Sequence, residues 1–436
     1  MQEDNRLELL LPAGNLEKLE TALRYGADAV YLAGKQLGLR AKAGNFTLAE
    51  MERGIRLAHR MDRKVYVAVN IFAHNRDMEE GRAYLERLEQ MKPDGLILSD
   101  PGVFRLARQA APGLPVHIST QANVTNWQSV LFWQEAGAER VVLGREVSLE
   151  EMTEIRDRTG MELEVFVHGA MCMSYSGRCM LSMLMTGRSA NRGECTHPCR
   201  WRYGVAEEQR PGEYLPVEED DRGTYIFNSK DLCMLPHLDR VIGSGATSLK
   251  IEGRMKSVHY VATVAKVYRQ AIDRYLDDPA GYRMDPQWMD ELLRVSDREY
   301  CSGFYFGSPD RESHNYDEYR PNRGWRFCGR VLAWEPEKRQ LKIEQRNRFF
   351  RGDRLELLIP GAPNRQLTVE ALFDDDRQPI SVCPHPRQTV YVPCGEPVPE
   401  GTLLRLKTGD QHDETTVSGS VCTTNTPDPH ELSEEQ

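Results

Sequence analysis

Eight short apolar, β-prone runs spread over the first 254 residues constrain this chain more than any other feature. They are LELLLPA (7–13), DAVYLA (28–33), KVYVAVN (64–70), GLILSD (95–100), PVHISTQ (115–121), RVVLGRE (140–146), LEVFVHG (163–169) and SLKIEGR (248–254). Between them lie segments with helical spacing that open on a helix-start residue, such as NLEKLETALRYGA from Asn15 and SLEEMTEIRDRTG from Ser148. Strand–helix units repeated eight times predict an α/β fold, a (β/α)8 barrel of the TIM type. Its strands are covered on both faces and therefore read as unbroken apolar runs. A doubly wound open sheet is the alternative for the same pattern, but no GxGxxG turn opens a helix here.

Barrel active sites form at the C-terminal ends of the strands and in the loops that follow. Asn70, Asp100, Gln121, Arg145, Glu146, His168, Glu252 and Arg254 fall at those ends. Loop positions are polar in most proteins, so the signal lies in their convergence on one end. The seventh and eighth runs are separated by residues 170–247. A βα loop usually has roughly two to six residues, and long insertions tend to be functional. The barrel is expected over 1–300, closed by helices within 256–296, with a linker over 301–322. Short alternating runs then predict a small antiparallel β-barrel domain over 323–410, and the polar, acidic residues 411–436 a disordered tail.

The insertion carries HGAMCMSYSGRCMLS, with Cys172 and Cys179, then RGECTHPCRWRY, with Cys195 and Cys199, then NSKDLC, with Cys233. The first residues, MQEDNRLELLLPAG, show no basic stretch followed by a long apolar one, and no window offers the run of about 20 apolar residues that spans a bilayer. A soluble cytoplasmic protein without membrane contact is the expectation. In a reducing compartment ten cysteines point to metal or redox chemistry rather than disulfides. Thiolates are soft ligands for an iron-sulfur cluster or zinc, and the spacing matches no C-x2-C zinc pair. Packing as small hydrophobes, or one reactive thiol, are the other readings. Five cysteines compete for four places: Cys172, Cys179 and Cys195 are common to every assignment, Cys233 is preferred for the fourth, and Cys199 is its alternative. Cys301, Cys328, Cys383, Cys394 and Cys422 are explained by packing.

Five motifs, LLLPAGNLEKLETALRYGADAVYLAG, EVFVHGAMCMSYSGRCMLS, NRGECTHPCRWRY, NSKDLC and SLKIEGRMKS, resemble the collagenase-like peptidase family, number thirty-two among peptidases of unknown catalytic type. The resemblance spans about residues 7–410 and is nearest to a branch that hydroxylates the wobble uridine of tRNA to 5-hydroxyuridine. It implies a (β/α)8 barrel with a [4Fe-4S] cluster on the cysteines above, working without molecular oxygen and taking the hydroxyl group from prephenate. Sister branches act on a ribosomal RNA cytidine or a ubiquinone precursor, and others are peptidases. Neither HExxH nor GxSxG is present to support a protease. Prephenate is a dicarboxylate, so its site should present guanidinium groups, although a single arginine is more often a salt-bridge partner. The candidate catalytic residues are His168, Arg178 and Glu252. The candidate substrate-binding residues are Asn70, Gln121, Arg145, Tyr175, Arg200, Lys230 and Arg254.

A net charge of -10 opposes non-specific attraction to nucleic acid, so an RNA partner needs local basic patches. RSANRGECTHPCRWRY, YRPNRGWRFCGR and EQRNRFFRGDR interleave arginines with Trp201, Tyr203, Trp325, Phe327, Phe349 and Phe350, the combination that single-stranded loops require. Arg202, Arg323, Arg326 and Arg348 are the candidate RNA-binding residues, with solvated edge-strand arginines as the competing reading. The resemblance implies an anticodon loop as the partner, and its wobble base, already unpaired, reaches a barrel mouth at little cost. Cluster-loading or electron-transfer proteins are further expected partners.

Overall fold

The computed structural model describes residues 7–35, 38, 45–171, 179–192, 194–200, 230–307 and 324–408, together with four short strands between 205 and 225. Parallel strands β1 (Glu8–Pro12), β2 (Ala29–Ala33), β3 (Lys64–Val69), β4 (Gly95–Leu98), β5 (Val116–Ile118), β6 (Arg140–Val142) and β7 (Glu162–Gly169) follow one another around a sheet. The insertion holds β8 (Val205–Ala206) paired with β9 (Tyr214–Leu215), and β10 (Glu218–Asp220) paired with β11 (Gly223–Tyr225). It ends in β12 (Asp231–Cys233), which runs antiparallel on β7. The eighth barrel strand is β13 (Ser248–Ile251), hydrogen-bonded to both β7 and β1, so the barrel closes across the insertion. A short strand, β14 (Tyr300–Cys301), extends the sheet beyond β12.

The surrounding helices are α1 (Leu16–Arg24), α2 (Leu48–Arg60), α3 (Met78–Met91), α4 (Pro101–Ala110), α5 (Trp127–Glu135), α6 (Leu149–Thr159), the cap helix α7 (Leu181–Thr186), α8 (Leu238–Gly243), α9 (Val258–Asp277) and α10 (Pro286–Leu293). Asn15, Thr47, Asp100, Asn126, Ser148 and Ser257 each cap the helix that follows by accepting backbone N–H groups. No helix among the described residues is long and apolar enough to cross a membrane.

Inside the lumen, the N-terminal halves of the strands bury charge. Glu8 accepts from Ser248 Oγ (2.8 Å), Tyr66 OH (2.6 Å) and Arg140 (2.5 Å), while Lys250 Nζ donates to Glu164 (2.7 Å). Burial alone would raise the Glu8 pKa, but Arg140, Tyr66 and Ser248 outweigh it and hold the carboxyl below the usual carboxylate range. An apolar layer of Leu10, Ala29, Tyr31, Ala33, Ala68 and Ile97 continues the lumen filling.

The C-terminal region is a curled six-stranded antiparallel sheet of β15 (Trp325–Glu335), β16 (Gln340–Gln345), β17 (Arg354–Leu358), β18 (Arg365–Thr368), β19 (Thr389–Pro393) and β20 (Leu403–Lys407), in the order β18-β17-β20-β15-β16-β19. One face encloses its own core around Cys328, Ile343, Phe349 and Val390. The other face is joined to the barrel, with Leu358 and Leu403 entering the barrel core. Tyr25 OH donates to Leu358 O (2.5 Å), and Lys266 Nζ donates to Ile359 O, Ala362 O and Asn364 Oδ1 (2.9, 2.7 and 2.6 Å). Arg405, fully buried, bridges Glu291 of α10 and Glu356 of β17.

Candidate active site at the barrel mouth

The mouth is built where β1, β7 and β13 end. Glu252 N–H donates to His168 O (2.8 Å), and Tyr260 OH donates to Glu252 O (2.9 Å). The Glu252 carboxylate lies 3.1 Å from Tyr31 OH. Two glycines permit this closeness: a Cβ on Gly169 (φ +110°) would lie 2.4 Å from Glu252 O, and one on Gly14 would lie 2.4 Å from Arg254 O. Arg254 is buried, and its carbonyl accepts from Lys18 Nζ (3.1 Å).

Across the lumen, the ends of β3, β4 and β5 meet. Asn70 Nδ2 donates to Ser119 Oγ (3.3 Å), Ser99 Oγ donates to Asn70 O (3.0 Å), and Gln121 N–H donates to Ser119 Oγ (3.3 Å). The Arg145 guanidinium lies 4.0 Å from the centroid of Phe166. Asn70, Gln121, Arg145, Glu252 and Arg254 thus all stand at the C-terminal ends of barrel strands. Asp100 is occupied in capping α4. Lys230 pairs with Glu299 (3.1 Å) beside β12. In the C-terminal sheet Arg326 donates to Arg348 O (2.9 Å), and Arg348 is exposed. Cys172, Tyr175, Arg178, Arg202 and Arg323 lie outside the described residues, as does the Arg200 side chain.

His168 does not face open solvent. It is 1% exposed, ringed by Tyr300, Tyr268 and Tyr260 at centroid distances of 5.1, 5.5 and 5.9 Å. Among the described residues its Nε2 has no hydrogen-bond partner, and burial, with a smaller contribution from Lys256, pushes its pKa down to about 3. The same burial raises all three tyrosines well above their ordinary range. Tyr260 and Tyr268, eight positions apart, share one side of α9, a spacing visible in the sequence. That this side meets His168 was not visible there, nor was the part played by Tyr31, Ser99 and Ser119, which sit inside or at the ends of ordinary strand patterns.

Cys233 is opposite His168 in the β12–β7 ladder. The return of the chain to the mouth is made by Asp231–Cys233. Its thiol is buried and pushed up to about 12, chiefly by desolvation. The Leu235 amide donates to Sγ, and Tyr268 OH is 3.9 Å away. Cys179 and Cys195 belong to a cap tied together by Ser182 Oγ, which accepts from Thr196 N–H (3.1 Å), and by the Thr186–Thr196 hydroxyl pair (3.2 Å). The cap reaches across the mouth, since Phe72 N–H, after β3, donates to Asn191 O (3.2 Å).

Cys179, Cys195, Cys199 and Cys233 form no disulfide among the described residues. Among the described residues no three His, Cys, Asp or Glu side chains form a ready metal-binding group. The donor chemistry nevertheless fits a soft metal: thiols on one cap and at the adjoining strand end, with the Leu235 amide as a donor beside the Cys233 sulfur that stabilises a ligating thiolate.

The family model described as "Peptidase family U32" matches residues 14–315, and "Peptidase family U32 C-terminal domain" matches 323–405. This chain belongs to peptidase family U32. The U32 chain is 40% identical over 398 residues to tRNA hydroxylation protein P1 of Bacillus subtilis, covering 91% of the chain and 94% of that protein. It is 38% identical over 427 residues to tRNA hydroxylation protein P of Escherichia coli, covering 88% and 93%. It is also 31% identical over 325 residues to a collagenase of Porphyromonas gingivalis, covering 72% and 77%. The U32 framework therefore carries, in this chain, a mouth of amides, a tyrosine-held carboxylate, arginines and thiols.

Proposed function

We propose that this chain is a cytoplasmic tRNA hydroxylase that converts wobble uridine to 5-hydroxyuridine without molecular oxygen, using prephenate as the source of the hydroxyl group. The observation that carries the reading is the similarity to tRNA hydroxylation protein P1 over nine-tenths of both chains, barrel and C-terminal sheet together. A [4Fe-4S] cluster would be held by Cys172, Cys179, Cys195 and Cys233, with Cys199 as the alternative for the last place. When bound, it supplies the redox capacity of thiolate-ligated iron.

The chain's own residues do the rest. Arg145 and Arg254, at the ends of the sixth and eighth barrel strands, suit the two carboxylates of prephenate, and Arg178 and Arg200 of the insertion are further candidates. Asn70 and Gln121 offer amides to the edge of a uracil ring. Glu252, oriented by Tyr31, is placed to accept or return a proton at the mouth. Burial favours the neutral imidazole of His168 at physiological pH.

Two measurements test the reading. Protein purified without oxygen should be brown and carry about four irons and four sulfides per chain if one [4Fe-4S] cluster is bound; colourless, iron-free protein sinks the cluster. Mass spectrometry of tRNA nucleosides from a deletion strain should show loss of 5-hydroxyuridine derivatives. If the loss appears in ribosomal RNA instead, the substrate assignment is wrong.

A further inference from the structure

We propose that a cleft at the seam between the barrel and the C-terminal sheet binds an unpaired nucleotide of the tRNA at a point away from the reacting base. The inference rests on the tRNA reading above and adds a second contact point to it. The cleft, with a volume of about 320 Å³, is lined by Trp325, Arg354, Glu356, Gln366 and Lys407. That volume is at the small end of the roughly 300–1,000 Å³ typical of ligand sites, the scale of one nucleotide unit rather than a folded partner.

Its charge is set by which ions are already used. The Glu356 carboxylate accepts from Arg405 (2.9 Å), Arg294 (3.2 Å), Asn364 (3.2 Å) and Gln366 (3.1 Å), so two guanidinium groups neutralise the one acid of the lining. Arg354 and Lys407 are different. Both are exposed, and among the described residues neither makes an ion pair or a side-chain hydrogen bond. Leu355 pairs with Leu406, so Arg354 and Lys407 extend the same ladder by one step and project as neighbours from β17 and β20. In a chain with a net charge of -10, two adjacent uncompensated cations in a concavity form a phosphate-sized site.

The remaining walls select a nucleotide over a plain acidic peptide. Trp325, paired in register with Lys407, is held in place by the Arg294 and Arg405 guanidinium groups at 4.5 and 4.9 Å from its ring, and it gives an apolar wall for a base or ribose. Gln366 donates its amide to Glu356 and so presents its carbonyl oxygen as an acceptor to a base edge.

The cleft also lies on the flank that leads to the mouth. Arg294 follows α10, and Tyr300 OH donates to Leu292 O at the end of that helix, while the Tyr300 ring lies 5.1 Å from His168. Next to Trp325 on the sheet, Phe327 stacks on His259 (6.0 Å), the second residue of the helix that begins just after the Glu252–Arg254 loop. The cleft and the mouth are thus joined through α10, β14 and α9, elements that pack around both.

The test measures binding of fluorescent full-length tRNA by the full chain as a function of salt. The R354E/K407E double variant should bind at least about tenfold more weakly, with the slope of log affinity against log salt reduced by about two. The charge-neutral R354Q/K407Q pair should fall between it and the unaltered protein. An unchanged affinity and salt slope in both variants, with an unchanged melting temperature, overturns the proposal. So does a loss confined to an acidic peptide probe, which would assign the cleft to a protein partner. The two readings fail separately. If tRNA affinity drops but the deletion strain keeps its 5-hydroxyuridine, the cleft stands and the reaction falls; if the modification vanishes while affinity is untouched, the reaction stands and the cleft falls.

Discussion

At the N-terminal side of the lumen, Glu8, Arg140, Glu164 and Lys250 are buried and paired with one another, whereas at the mouth side His168 is buried as deeply with its Nε2 unpaired among the described residues. Cys233, beside it, offers a thiol to a tyrosine hydroxyl at a long 3.9 Å. A buried polar group costs free energy unless it is partnered. The lower network meets that cost with internal ion pairs and so serves the fold. The mouth leaves it partly unmet, in the part of a barrel where function is placed. The two regions should therefore respond to mutation and pH in different ways.

The largest effect is expected in the lower network. Lys250→Met leaves Glu164, fully buried, with only the 3.4 Å ion pair from Arg140 among the described residues, and should cost about 3–5 kcal/mol in denaturant unfolding. A loss below about 1 kcal/mol would mean that the network is not what holds the strands in register.

Next comes the pH response of the mouth. An unfolded histidine takes up a proton below its ordinary pKa near 6.5, while the buried His168 ring resists protonation until about 3. Its contribution is therefore intact above pH 6.5 and is lost progressively as pH falls towards 3, by about 2 kcal/mol at pH 5. His168→Phe, which keeps an aromatic ring among the three tyrosines, should flatten the fall in stability between pH 7 and 5 by about that amount. An unchanged slope would show that His168 is hydrated in solution. His259, also buried and pushed down to about 3 by desolvation, should keep its own share of the slope in that variant.

Smaller still is the expected stability effect of Cys233→Ala, about 1 kcal/mol in metal-free protein, since only a small thiol is removed from the core. Iron content should fall sharply in the same variant. Iron retained at the level of the unaltered protein would move the fourth place to Cys199. The least effect on folding belongs to Asn70→Ala, which removes the 3.3 Å hydrogen bond to Ser119 Oγ and should change stability by about 1 kcal/mol while raising the KM for tRNA. Equal losses in stability and KM would make Asn70 a structural residue.

Much of this architecture was legible in the chain. The eight apolar runs mark the eight barrel strands, including Ser248–Ile251 across the long insertion, because strands covered on both faces have to be apolar throughout. The strand-end positions of Asn70, Gln121, Arg145 and Glu252 follow from that register alone. The arginine roles in the C-terminal sheet were less legible. Arg326 is engaged with the Arg348 carbonyl, while Arg354, the last residue of EQRNRFFRGDR, and Lys407, outside the basic runs, come together only through strand pairing.

The amino-acid sequence by itself determined the barrel, the placement of its mouth, the cysteine-bearing insertion and the family. All of these depend on local periodicity and on motifs that are contiguous in the chain. Only the tertiary structure decided that His168 lies in a cage of three tyrosines, that Cys233 sits across from it, that the cap is tied to the loop after β3, and that the C-terminal sheet is joined to the barrel through Tyr25, Lys266 and Arg405. Each of these joins residues far apart in sequence through burial and hydrogen bonding, and a one-dimensional pattern of hydrophobicity does not record which buried faces meet.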